Sequence, residues 1–140
     1  MFTIVPHTAD MGLSVTASSK EELFVDAVFG LRSLFLSKIS LQNSESIKIQ
    51  LEAISLEDLL VQWLSEFNFL FETGYWVLGK IDDLTIKVSK GLFQLNANVS
   101  GGLLEPAGSE IELEIKAVTH HDLKIEQSTG LWSVKIFFDL

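Results

Sequence analysis

The stretch "LTIKVSKGLFQLNANV", Leu84 to Val99, decides the fold class. Leu84, Ile86 and Val88 alternate with polar residues before Ser89-Lys90-Gly91, and Phe93, Leu95, Ala97 and Val99 alternate after it. A period of two sends successive side chains to opposite faces, so each half reads as a half-buried strand and the two as a hairpin. Immediately upstream the period changes. Leu59, Leu60, Trp63, Leu64, Phe67 and Leu70 recur at helical spacing behind Ser55-Leu56-Glu57-Asp58, which has the form of an N-terminal cap. That helix is predicted to stop near Gly74.

Outward from this centre the pattern continues. Ile47, Ile49 and Leu51 predict a strand. Ser19-Lys20-Glu21-Glu22 fits a capping box, and Leu23, Phe24, Ala27, Val28, Leu31, Leu34 and Phe35 predict a helix from about Lys20 to Leu36. Phe2 with Ile4, and Leu13 with Val15 and Ala17, predict two short strands, with His7 to Asp10 in their connection. Toward the C-terminus, Ile111, Leu113 and Ile115 alternate with glutamates. Leu123 and Ile125 lead to a Gln127-Ser128-Thr129-Gly130 turn, and Trp132, Val134, Ile136 and Phe138 predict a last strand. Strands, helix, strand, helix and a run of strands make an α+β single domain over residues 1–140: a largely antiparallel β-sheet with two α-helices packed on it.

Composition excludes several function classes. With 140 residues, 47% of them hydrophobic, the chain can bury a proper core. It has no cysteine, which removes disulfides, thiolate catalysis and thiolate zinc sites. Lys and Arg total 10 against 19 Asp and Glu, a net charge of −9. Nucleic-acid affinity comes largely from cations that neutralise phosphates, so no direct tight nucleic-acid binding is expected; an acidic chain suits a cation or a basic protein. The apolar region Leu56 to Leu78 contains Glu57, Asp58, Gln62, Glu66 and Glu72, and is not expected to enter a membrane. With no signal-peptide pattern at the N-terminus, a cytoplasmic protein is expected.

Candidate sites each carry an ordinary reading as well. Asp10 fits either an Asx-turn or a metal ligand. Asp139 ends the last apolar strand. If that strand pairs beside the first, Asp139 approaches the His7–Asp10 connection, with an oxygen of Leu140 close by. Oxygen donors without thiolates suit a hard cation; a solvated chain end is the alternative. In Lys116-Ala117-Val118-Thr119-His120-His121, adjacent histidines on a strand face opposite ways and cannot share a metal. His120 reads as a surface residue and His121 as a half-buried one. Lys116 is free to pair with Glu114 or Glu126. The aromatics Trp63, Phe67, Phe69 and Phe71 read as core and rim of a helix face. No nucleophile elbow, Walker loop or dinucleotide motif is present, and Gly101-Gly102 lacks the Lys or Ser/Thr of a phosphate loop.

Taken together, "HTADMG", "EDLLVQWLSEFNFLF", "GSEIELEIKAVTHHDLKI" and "WSVKIFFDL" resemble the archeases in order and spacing over almost the whole chain. The resemblance implies an activator or chaperone-like cofactor of an RtcB-type RNA ligase in tRNA splicing or RNA repair. Such a protein promotes ligase guanylylation and multiple turnover without being an enzyme. It further implies a divalent-metal site of Asp10, Asp139 and an oxygen of Leu140, taking Ca²⁺ first, with Mg²⁺ and Mn²⁺ as alternatives. A functional lysine falls on Lys116, and His7 and His121 are partner-facing candidates. The family usually carries Tyr where this chain has His120, and Ser100 to Ser109 is shorter than the usual form. Two rival readings remain open: a small metal-dependent hydrolase using Asp10, His7, Asp139 and His121, or a chaperone or specificity subunit of another RNA-modifying enzyme.

Overall fold

The hairpin forms as the alternation predicts. The computed structural model describes residues 1–6 and 10–140. β5 (Trp76–Ser89) and β6 (Leu92–Leu104) pair antiparallel, with Ser89 opposite Leu92. Lys90 and Gly91 both take positive φ, 53° and 77°, the two-residue turn whose twist matches that of the strands it joins. β4 (Leu41–Ala53) pairs with the other edge of β6, giving the order β4-β6-β5. Gly101 and Gly102 belong to this sheet: a Cβ on Gly101 would lie 2.2 Å from the Val77 carbonyl oxygen, and one on Gly102 2.5 Å from that of Gln42. Bare backbone is what lets both flanking strands close on β6 there.

Two helices connect the sheets. α1 (Lys20–Phe35) starts at Ser19, whose side chain accepts from the Glu22 N–H. The Glu22 carboxylate reaches Ser18 rather than the Ser19 N–H of a reciprocal capping box, and the Ser18 donors hold it below the usual carboxylate range. α2 (Leu56–Gly74) starts at Ser55, whose side chain accepts from the Asp58 N–H, and ends at Tyr75. Both helices touch both large sheets. Fully buried Trp63 donates its indole N–H to the Phe24 carbonyl at 2.9 Å, tying α2 to α1. Phe67 and Phe71 are buried, while Phe69 is 58% exposed: core and rim, as the helical spacing predicts.

The remaining strands do not extend one continuous sheet. β1 (Phe2–Pro6), β2 (Asp10–Ala17), β8 (Ala117–Val118), β9 (Glu126–Ser128) and β10 (Leu131–Asp139) form a five-stranded sheet in the order β1-β2-β10-β8, with β9 also on β10. β3 (Leu36–Lys38) and β7 (Glu110–Ile111) form a separate pair. All the pairings are antiparallel. Two expectations are corrected. The last strand pairs with the second strand, not the first. The alternation Ile111-Leu113-Ile115 does not make a long strand: beyond Ile111, the Glu112 N–H goes to the Phe35 carbonyl and the Lys116 N–H to that of Asp139. Among the described residues, no helix is long and apolar enough to cross a membrane.

Candidate functional site

Leu13, Val15, Val134, Ile136 and Phe138 are all buried, which fixes one face of β2 and β10 against the core. The register sets Leu13 opposite Ile136, Met11 opposite Phe138 and Asp10 opposite Asp139. Alternation therefore turns both aspartates to the outer face, the one that Gly12 and Phe137 also share. Directly opposed residues on adjacent antiparallel strands have Cβ atoms about 4.5–5.5 Å apart, and like charges there are destabilising without a counter-charge. Asp10 is half-buried with Oδ1 shielded from solvent, and Asp139 is exposed.

Asp10 is the first residue of β2. His7 lies outside the described residues. Leu140 follows Asp139 and is 38% exposed. Among the described residues no three His, Cys, Asp or Glu side chains converge. Asp10 and Asp139 are two carboxylates in register on one face of the strand pair.

The 116–121 segment is laid against this pair by backbone. The Lys116 N–H donates to the Asp139 carbonyl at 2.8 Å, and Ala117 stands opposite Asp139. The Thr119 N–H and hydroxyl both donate to the Phe137 carbonyl, at 3.1 and 3.0 Å. Lys116 is exposed and forms no ion pair among the described residues, so the pairing with Glu114 or Glu126 does not occur. His120 and His121 sit after β8, not on a strand, and they part. His120 Nε2 lies 3.1 Å from Asp58 in the first turn of α2. His121 is exposed rather than half-buried, 3.2 Å from Asp122 and edge-on to Phe137 at 6.1 Å. Phe137 shares the aspartates' face, so His121 stands near the site while His120 is tethered away from it.

Two residues that position this region gave little signal in the sequence. Asn68, 6% exposed, is the buried polar residue of α2 and donates to the Ile115 carbonyl at 2.9 Å, one residue before Lys116. Glu57 accepts the Ile125 N–H at 2.9 Å. A polar residue on an apolar helix face is the available hint for Asn68, because burial demands a partner. Arg32, the chain's one arginine, donates to the Leu78 and Gly79 carbonyls at 2.9 and 3.3 Å. Burial lowers its pKa, but a guanidinium stays charged.

Residues 2–140 match the model of the Archease protein family. The chain is 30% identical over 139 residues to Protein archease of Methanosarcina mazei, covering 99% of this chain and 95% of the relative. It is 32% identical over 135 residues to Protein archease of Thermococcus kodakarensis, covering 96% and 94%. The fold is similar to the solution structure of protein 1598 of Methanobacterium thermoautotrophicum, with a TM-score of 0.78, 24% identity and coverage of 99% and 98%. It is also similar to the crystal structure of an archease, described as a possible chaperone, from Thermotoga maritima, with a TM-score of 0.66, 23% identity and coverage of 100% and 98%.

Proposed function

Because this chain belongs to the archease family, we propose that it is an activating, chaperone-like partner of an RtcB-type RNA ligase, promoting the ligase's guanylylation and multiple turnover in tRNA splicing or RNA repair. The observation that carries this reading is the opposition of Asp10 and Asp139 across β2 and β10. Two carboxylates in register on one face offer hard oxygen donors to a cation. Asp10 and Asp139 hold that cation, with an oxygen of Leu140 as a third donor. A bound divalent ion supplies a positive, Lewis-acidic centre on an otherwise acidic surface. Lys116 adds a second positive group beside it: its backbone is fastened to Asp139, so the exposed side chain is free to meet an acidic or phosphate group of the partner.

The chain acts on this reading through its partner and not by its own catalysis. The net charge of −9 favours docking on a basic protein over binding RNA. The test is guanylylation and multiple-turnover ligation by the RtcB-type ligase of the same genome, with and without this protein. Stimulation that disappears in Asp139→Ala is the expected result. Equal rates with and without the wild-type chain overturn the proposal.

A further inference from the structure

Tyr75, the chain's one tyrosine, caps α2 in the left-handed region at φ 53° and ψ 29°. Glycine or asparagine is the usual residue there, and a bulky side chain in that conformation is a strained exception. The cap's backbone work does not require tyrosine: its N–H bonds the Leu70 and Phe71 carbonyls, and its carbonyl accepts from the Leu104 N–H at 2.9 Å. The ring is 56% exposed and stands edge-on to Phe71 with centroids 5.7 Å apart. Strain retained by an exposed aromatic points to use of its side chain.

Two recesses meet at this ring and at Ile111, which is 53% exposed. One, of about 160 Å³, lies between the end of α2 and the irregular segment before Lys116, with Phe71, Leu113 and Ile115 in its walls. That is below the roughly 300–1,000 Å³ of cofactor and ligand cavities, and suits a single apolar side chain. The other runs on past Leu104 and Pro106. Glu72 and Glu114 line the first recess. The last turn of α2 has no basic residue, so the negative end of the helix faces the groove without a counter-charge on that turn.

We infer that this groove docks an extended segment of a partner protein that carries Lys or Arg on either side of an apolar anchor, with Tyr75 as the contact that holds the anchor. Charge complementarity selects that occupant. A second copy of this chain would bring its own −9 charge to an acidic rim. The groove is separate from the Asp10–Asp139 pair but ends one residue from Lys116. On the function proposed above it is a second contact with the same ligase, yet its chemistry can be tested without the ligase.

Fluorescence anisotropy with a short labelled peptide of Leu and Phe interleaved with Lys and Arg, and with a matched peptide bearing Glu in place of each Lys and Arg, reads the groove directly. The wild-type chain should bind only the basic peptide. Tyr75→Asn, which tolerates the left-handed backbone, should keep its melting temperature and lose about tenfold or more in affinity. Glu72→Lys with Glu114→Lys should exchange the preference toward the acidic peptide. Equal binding of both peptides by wild type, or undiminished binding by Tyr75→Asn, overturns the inference even if ligase activation by this protein is established. If the peptide results hold and the ligase does not bind the wild-type chain, the groove stands and the ligase reading falls. A concentration-dependent dimer that Tyr75→Asn abolishes assigns the groove to a second copy and overturns the basic-partner inference.

Discussion

Two aspartates opposed across a strand pair set up a measurable linkage at the scale of single residues. A cation that binds the folded pair and not the unfolded chain stabilises the fold by about 2.7 kcal/mol at a hundred times its dissociation constant. Thermal melts in Ca²⁺, Mg²⁺ or Mn²⁺ should therefore rise above those in chelator for the wild-type chain, and the rise should vanish in Asp10→Ala. An equal rise in that variant would remove Asp10 from the site. Lys116→Ala should separate two roles: the bond to Asp139 runs from the Lys116 backbone N–H, which alanine keeps, so cation binding by calorimetry should persist while ligase stimulation falls. Retained stimulation would reduce Lys116 to a solvated surface residue. Asp10 and Asp139 were legible in the sequence because each ends an apolar alternation and because the chain resembles a known family. Asn68 and Tyr75 were not, since their roles depend on Ile115, Ile111 and Leu104, which are far from them in the chain.

At the scale of elements, β10 is the strand on which the site depends. It lies between β2 and β8, and its last residue pairs with both Asp10 and Ala117. Deleting Asp139 and Leu140 leaves Val134, Ile136 and Phe138 buried, so the fold should survive by circular dichroism. The Lys116 N–H loses its acceptor and β8 keeps only the Val118–Phe138 pairing, so amide exchange over residues 115–119 should quicken. Cation response and ligase stimulation should both be lost; full stimulation by the shortened chain would make Asp139 an ordinary exposed end. The helices and the hairpin were legible because caps, 3.6-residue spacing and a Lys-Gly turn are local signals. The division into separate sheets was not. Alternation at Ile111, Leu113 and Ile115 reports a two-sided environment; only Ile111 meets a neighbouring strand, and beyond it the segment is held by single bonds to Phe35, Asn68 and Asp139.

For the molecule as a whole, charge separates a partner of an RNA enzyme from an RNA-binding protein. Non-specific nucleic-acid binders reach dissociation constants of about 10⁻⁴–10⁻⁶ M by placing Lys and Arg on phosphates and releasing counterions. This chain carries 10 such cations against 19 acids. Its one arginine is bound to the Leu78 and Gly79 carbonyls and stacked over Phe29 at 4.7 Å. Lys38 faces Glu110 at 3.5 Å and Lys80 faces Asp82 at 3.4 Å, so part of the remaining positive charge is locally offset. Few phosphates can be neutralised at once, and the field of the other acids opposes approach. Purified protein mixed with labelled transfer RNA should show little anisotropy change at physiological salt, a shallow salt dependence where binding is detected, and neither joining nor cleavage of the RNA. Adding the cognate ligase should change the RNA chemistry without raising this chain's own affinity for the RNA. Sub-micromolar binding that resists salt would overturn the assignment of a basic protein, rather than RNA, as the direct partner.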